Sequence, residues 1–401
     1  AGRTGGDAVM AKLGLVITQV RGVSYSPKDL HDSLNDESII LLRANNIKDG
    51  KINFDDVVYI DKKKVNKNQY LCRGDVLICT SSGSKELVGK AAFFSENTIA
   101  TFGAFCKVIR PSIPCKEFIG HFFNSPFYRR EISSLSSGAN INNIRNEHID
   151  NLEMNLPTEN IQEAITRRLN FVNSLIESRQ KQLSKLDQLV KSRFIEMFGD
   201  VYLNTMSWDE KDLESIADIV SGITKGRKVK NKKLKEVPYM AVSNVKDGYI
   251  DWSTVKKIDV TDEEIIRYRL LKDDVLITEG GDPDKVGRGA IIKNPLENCI
   301  HQNHIFRVRL NKLIVLPVFF AEYLQHQKSK RYFLSCAKQT TGIASINMKQ
   351  LKSLPVLLPP IKLQRQFSDF IQQVEKAKLS VKQSLDKLET LKKSLMQEYF
   401  G

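Results

Sequence analysis

The segment Asn46-Ile47-Lys48-Asp49-Gly50-Lys51-Ile52 returns 198 residues later as Asn244-Val245-Lys246-Asp247-Gly248-Tyr249-Ile250. Other matches flank it in the same order. Gly22-Val23-Ser24 returns as Gly222-Ile223-Thr224, Gly74-Asp75-Val76-Leu77-Ile78 as Asp273-Asp274-Val275-Leu276-Ile277, and Val88-Gly89-Lys90 as Val286-Gly287-Arg288. Further on, Leu156-Pro157 with Gln162 matches Leu358-Pro359 with Gln364, and the stretch Leu189–Gly199 matches Leu391–Gly401. Six matched segments in one order mean that a unit of about 200 residues occurs twice. That period is too long for a solenoid, so the chain reads as a duplicated two-part module.

Within each copy the character changes at the Leu-Pro. Before it, short β-rich runs such as Val57–Ile60, Val76–Cys79 and Ala91–Phe94 alternate with turn signals, as do Val275–Ile277, Ala290–Ile292 and Ile305–Val308 in the second copy. Lys-Asp-Gly in both copies predicts a hairpin-type turn, because Gly supplies the positive φ a tight turn needs. One helix is expected around Phe118–Leu135 and one around Val318–Cys336. The expected class is α+β, with two mixed α/β globular parts built on twisted, mostly antiparallel sheets.

After the Leu-Pro, each copy has no Gly or Pro until its last residues and reads as a long helix. Ile165, Leu169, Val172, Ile176, Leu183, Leu186 and Val190 step by threes and fours along the first, interrupted by Arg179 and later by Arg193. Phe367, Ile371, Val374, Val381, Leu385, Leu388 and Leu395 do so along the second, interrupted by Lys378 and Lys392. Heptad spacing lines one face and calls for a helical partner. At 1.5 Å per residue, Gln162–Met197 spans about 54 Å. Two matching helices are expected to pack on each other, antiparallel; the plainer reading is an amphipathic helix lying on its own domain. The expected segments are 1–9, resembling an expression scar, globular part 10–157, helix 158–200, globular part 201–357 and helix 358–401.

Composition excludes several classes. The chain has 401 residues, 41% hydrophobic and 27% charged, ordinary for a globular protein and too apolar for wholesale disorder. No run approaches the length of a membrane span, which predicts a soluble, cytoplasmic protein with no membrane partner. The six cysteines form neither a C-x-x-C pair nor a dense disulfide pattern and are expected to be buried, reduced thiols. His301 and His304 lack a third ligand and are expected to be strand-edge polar residues, so no metal is predicted. Lys85–Lys90 imitates a phosphate loop, but Gly83 and Gly89 enclose five residues and Ala91 stands where Ser/Thr is needed. Asp282-Pro283-Asp284-Lys285 is read as a turn with solvated charges rather than a nuclease motif. No catalytic residue and no cofactor of its own are predicted.

Binding signals are stronger. The chain carries 61 Lys and Arg against 47 Asp and Glu, a formal charge of +14. Lys225, Arg227, Lys228, Lys230, Lys232, Lys233 and Lys235 put seven cations in eleven residues with no acid among them. A phosphate backbone rewards such a run by counterion release, although a solvated loop would look the same. We expect phosphate contacts from Lys225, Arg227, Lys228 and Lys230. Lys85, Lys90, Lys285 and Arg288 are expected on loops approaching DNA. Asn140, Asn142, Asn143 and Arg145 in the first copy, with Gln339, Thr340 and Thr341 in the second, are the base-edge candidates, since Asn and Gln pair bidentately with adenine and Arg with guanine.

With these residues in view, the chain resembles the specificity (S) subunit of type I restriction–modification enzymes. The resemblance covers essentially everything after Met10. It rests on the duplicated order of globular part, Leu-Pro and long helix. It rests also on Gly-x-x-x-x-Val-Gly-Lys/Arg-x-Ala at Gly83–Ala92 and Gly281–Ala290, and on Leu358-Pro359-Pro360-Ile361-Lys362-Leu363-Gln364 running into the second helix. Leu363 and Ile161 stand where the family usually has Glu, and Thr158 where it has a second Pro. The resemblance implies two target-recognition domains, each reading one half of an asymmetric, interrupted double-stranded DNA target, and two conserved spacer helices that set the half-site gap. It also implies docking of two N6-adenine methyltransferase subunits and of ATP-dependent restriction/translocase subunits, which would carry AdoMet, ATP and Mg²⁺. The alternative is a specificity subunit of another restriction class or an orphan methyltransferase. A coiled-coil adaptor and a stand-alone nuclease or methyltransferase are the competing classes.

Overall fold

The computed structural model describes residues 9–82, 87–136, 143–227, 233–282, 285–340 and 343–401. It divides into two compact units, one made of residues 1–181 with 382–401 and the other of 182–381, so both divisions fall inside the long helices.

The first unit is built on a six-stranded sheet. Its order is Ile17–Arg21, Cys106–Pro111, Val76–Cys79, Ala91–Phe93, Lys51–Ile52 and Ile47–Lys48. A four-stranded sheet runs Ala100–Phe102, Ser38–Leu42, Val58–Asp61, Leu30–His31. Pairing is antiparallel except for Ala100–Phe102 on Ser38–Leu42 and the single pair Lys51 with Phe93. Asp49 and Gly50, at φ 50° and 78°, turn the Ile47–Ile52 hairpin as the Lys-Asp-Gly signal predicts. Val9–Lys12 pairs with Glu153–Leu156, the strand that leads into the first long helix.

The second unit repeats the scheme. Ala217–Ser221, Ile305–Leu310, Val275–Thr278 and Gly289–Ile291 form an antiparallel sheet, and Ile300–His301 lies parallel on Lys235–Met240 as Ala100–Phe102 does on its partner. Buried side chains hold the copies to one plan. Asn46 Oδ1 accepts from Arg43 N while its Nδ2 donates to Asn53 O and Asp56 O; Asn244 does the same with Ala241 N, Asp251 O and Thr254 Oγ1. Gly89 and Gly287, at φ 80° and 68°, leave no room for a Cβ, which would meet Ile132 and Phe333 at 2.5 and 2.1 Å.

Each helix expected near the end of a globular part is broken in two. Lys116–Phe122 is followed by Pro126–Ser136, because Ser125 precedes a proline, which disfavours helical backbone there, and its Oγ accepts from Tyr128 N. Pro317–Gln325 is followed by Gln327–Cys336. The break at His326, extended at ψ 159°, coincides with its ring stacking on Phe194, centroids 4.3 Å apart.

The long helices are Glu159–Phe198 and Ile361–Phe400, 40 residues each. In the first unit, Ile165 and Leu169 near the start of one share a core with Met396 and Phe400 at the end of the other. In the second unit, Val190, Phe194 and Phe198 share a core with Phe367 and Val374. Within each unit the two helices therefore run antiparallel. Every predicted stripe residue is buried or half-buried: Val172 and Val381 are buried, and Ile176, Leu183, Leu186, Ile371, Leu385, Leu388 and Leu395 are half-buried. The cations on the stripe are accommodated locally. Lys378 Nζ reaches Asp187 Oδ1 at 2.7 Å, and the Arg193 guanidinium lies 5.9 Å over Phe370.

Two expectations about polar residues need correction. All six cysteines are free, but Cys72 is exposed and only Cys79, Cys106 and Cys299 are fully buried. His301 does lie on an edge strand, Ile300–His301, but it is wholly buried, with Nδ1 3.1 Å from Tyr268 O and Nε2 3.2 Å from Val220 O.

Candidate nucleic-acid interface

In each copy the strand Val76–Cys79 or Val275–Thr278 runs into a loop held by the same backbone bonds. Thr80 N donates to Phe105 O at 3.0 Å, as Glu279 N does to His304 O. Ile144 N donates to Thr80 O at 2.8 Å, as Ile346 N does to Glu279 O. These bonds bring the loop beginning at Ser81 beside Asn143, its bridge partner, and bring Gly280-Gly281 beside Ser345 and Ala344. Among the described residues, segments far apart in sequence thus meet in each unit, Ser81 with Asn143 and Gly280-Gly281 with Ser345 and Ala344.

The predicted site residues are distributed unevenly around these loops. Lys85, Asn140, Asn142, Lys228, Lys230 and Thr341 lie outside the described residues. Lys90 and Asn143 are exposed, and Arg145 is exposed with Nη1 3.3 Å from Glu147. Gln339 and Thr340 lie on Lys338–Thr340, opposite Ala344 and Ile343. Lys285 is ion-paired with Asp282, three residues before it. Arg288 is half-buried, with Nε lacking a hydrogen-bond partner among the described residues.

The basic run divides in two. Lys225 and Lys233 are exposed. Arg227 instead turns inward: Nε donates to Glu264 Oε1 at 2.7 Å and Nη2 to Oε2, and the pair holds the Glu264 carboxyl below its usual range. Lys235 pairs with Asp262 at 2.6 Å. Both acids belong to Asp262–Tyr268, a helix whose Thr261 cap also bonds Glu264. The sequence window 225–235 holds no acid, but the fold supplies two.

A pocket of about 410 Å³ opens in the first unit, lined by Tyr25, Arg43, Asn45, Ser81, Ser82 and Phe105 among others. Asp56 fixes two of these: its Oδ2 accepts from Asn45 Nδ2 at 2.6 Å and from Arg43 Nη2 at 3.3 Å. Phe105 is 70% exposed. Tyr25, Arg43, Asn45 and Phe105 carry no motif and escape a reading by residue type. The available signal is negative: they are positions where the two copies differ beside residues where they agree. Among the described residues, no three His, Cys, Asp or Glu are grouped so as to hold a metal ion, and no helix is long and apolar enough to cross a membrane.

The family model for the type I restriction modification DNA specificity domain matches this chain twice, over residues 17–188 and 206–390. The chain belongs to that family. It is 29% identical over 417 residues to the type I restriction enzyme EcoKI specificity subunit of Escherichia coli K12, covering 100% of this chain and 90% of the relative. To the StySPI specificity subunit of Salmonella potsdam it is 28% identical over 409 residues, covering 97% and 88%. The fold is similar to that of the type I restriction–modification S subunit from M. genitalium, with a TM-score of 0.57, 15% identity and coverage of 100% and 98%. The two family matches fall one on each copy of the duplication.

Proposed function

We propose that this chain is the non-catalytic, sequence-reading subunit of a type I restriction–modification complex, with each globular part reading one half of an asymmetric, interrupted DNA target. The observation that carries the reading is the duplication itself: two family-matched modules share one framework and differ in their loops, as two different half-sites require. The helix pair fixes the gap between half-sites, on the geometric logic that relates paired DNA readers to half-site spacing. N6-adenine methyltransferase subunits dock on the chain and act on a base taken out of the stack. Restriction subunits join them in the cytoplasm, and AdoMet, ATP and Mg²⁺ are held by these partners.

Phosphate contacts from Lys225, Lys228 and Lys230 supply sequence-independent affinity, with Lys85, Lys90, Lys285 and Arg288 closer to the reading loops. Asn140, Asn142, Asn143, Arg145, Gln339, Thr340 and Thr341 approach base edges. The test is co-purification with the methyltransferase subunit, then genome-wide mapping of N6-methyladenine in cells with and without this chain. An interrupted two-part motif that vanishes with the chain is the expected result. A methylation pattern indifferent to it would restore the adaptor reading.

A further inference from the structure

The two copies can be aligned through their own hydrogen bonds, and this alignment separates two kinds of position. Asn46 N bonds Arg43 O as Asn244 N bonds Ala241 O; Gly103 N bonds Leu42 O as Gln302 N bonds Met240 O; the Phe105 and His304 carbonyls receive the same bond. Framework residues agree across the copies: Gly22 with Gly222, Asn46 with Asn244, Asp75 with Asp274, Arg110 with Arg309. The residues around the pocket do not. Tyr25 faces Lys225 in the alignment, Arg43 faces Ala241, Asn45 faces Ser243, Ser81 faces Gly280 and Phe105 faces His304. One molecule has thus kept its scaffold twice and changed this ring of side chains.

The pocket itself depends on one such change. A Cβ on Gly103 would meet Tyr25 Cε1 at 3.2 Å, so this glycine faces into the space. The corresponding Gln302 places its Oε1 3.4 Å from the N of Val242, the counterpart of pocket-lining Ala44. In the second copy a side chain thus reaches the counterpart of a pocket-lining residue, where the first has a glycine.

We propose that this pocket, resting on the DNA-reading function above, is the base-reading site of the first module and accepts the edge of a guanine. Arg43 keeps guanidinium N–H donors beyond the Nη2 bonds to Asp56, and guanine is the base that offers O6 and N7 as paired major-groove acceptors to an arginine. Asp56 steadies it, and Asn45, its Nδ2 already engaged, turns an acceptor toward the neighbouring pair. Phe105 offers an apolar face to the adjoining base. In the second module, Ser243 and His304 occupy the equivalent ring and read a different half-site.

The test maps N6-methyladenine in cells making the full chain with its methyltransferase subunit. Arg43→Ala should relax a guanine requirement in one half of the motif, lowering discrimination there by about tenfold or more. Gly103→Gln, which copies the residue the second module carries, should alter the same half, while His304→Ala should alter only the other. The unchanged half in each variant reports that the chain is folded and assembled. The proposal is overturned if Arg43→Ala and Gly103→Gln leave the motif intact, if they change the half that His304→Ala changes, or if the lost requirement is not a guanine. A wild-type chain directing no two-part motif would instead sink the DNA-reading function itself.

Discussion

Arg110 lays Nε and Nη2 against the two carboxylate oxygens of Asp75, at 2.9 and 2.8 Å, and Arg309 does the same to Asp274 at 2.7 and 2.8 Å. Each carboxylate is 1% exposed and also accepts a backbone N–H, from Cys72 or Leu271. The Asp-Val-Leu-Ile repeat thus marks a buried carboxylate held bidentately by a partly exposed arginine at the start of a central strand in each copy. Burying a charge costs less when its hydrogen bonds are complete, and removing one partner leaves that cost uncompensated. Arg110→Leu should destabilise the first unit by about 3–5 kcal/mol, and Arg309→Leu the second by a similar amount. Urea unfolding of each variant checks this; a loss below ~1 kcal/mol would show that solvent reaches the carboxylate.

The glutamines after the Leu-Pro are matched in sequence but not in bonding. Gln364 donates to Pro359 O and Ile314 O and accepts from Leu316 N, whereas Gln162 donates to Pro157 O and its buried Oε1 has no hydrogen-bond partner among the described residues. Net worth per bond is about 1 kcal/mol. Gln364→Leu should therefore cost about 2 kcal/mol more than Gln162→Leu in the same unfolding measurement. Equal costs would mean that the two caps are equivalent.

Phe400 belongs to the first unit, with its ring centroid 5.2 Å from Phe118 and 6.0 Å from Phe122. Both tryptophans, Trp208 and Trp252, lie in the second. Phe400→Ala should remove about 3–5 kcal/mol from the first unit. Circular dichroism should then show an early loss of structure that tryptophan fluorescence does not follow. Coincident transitions by both probes would mean that the units unfold as one.

Three histidines make the protein sensitive to acid. Burial draws His121 in the first unit, and His301 and His326 in the second, down to about 4. The unfolded chain titrates near 6.5, so between these values it binds protons that the folded chain does not. Stability is intact above pH 6.5 and falls as pH drops toward 4, by about 1.4 kcal/mol per pH unit for each ring. The second unit, with two such rings, should lose stability more steeply than the first, with the Glu322 carboxyl beside His326, pushed up by burial, offsetting part of the difference. Melts followed by fluorescence and by dichroism from pH 7 to 5 test the difference; parallel slopes would refute it.

Much of this architecture is legible in the sequence because duplication repeats what burial demands. Asn46 and Asn244, or Gly89 and Gly287, recur because the backbone around them offers no alternative. The helix stripes are legible for the same reason: Leu169 and Val374 must face apolar partners. The breaks at Ser125 and His326 are less so. The proline before Phe127 is a visible signal, but the stacking of His326 on Phe194 joins residues 132 positions apart. The reading site is least legible. Arg43 and Phe105 gain meaning only when strand pairing sets them around one space, and a run of cations does not reveal that Glu264 waits for one of them.

That last point separates two neighbours in the basic run. Lys225 is exposed, whereas Arg227 spends its guanidinium on Glu264, which also accepts from Thr261 N at the start of its helix. A lysine that contacts phosphate contributes to counterion release, so its loss lowers the salt slope of binding by about 0.9 per contact. Lys225→Ala should weaken binding to all duplexes alike and flatten that slope. Arg227→Ala should leave the slope unchanged and instead cost stability, about 1–3 kcal/mol for a charged hydrogen-bonded pair broken on one side. Binding titrations between 50 and about 200 mM salt, the range over which such contacts are felt, with melts of both variants, make the distinction. A flattened slope for Arg227→Ala at undiminished stability would return that residue to the DNA and leave Glu264 without a structural role.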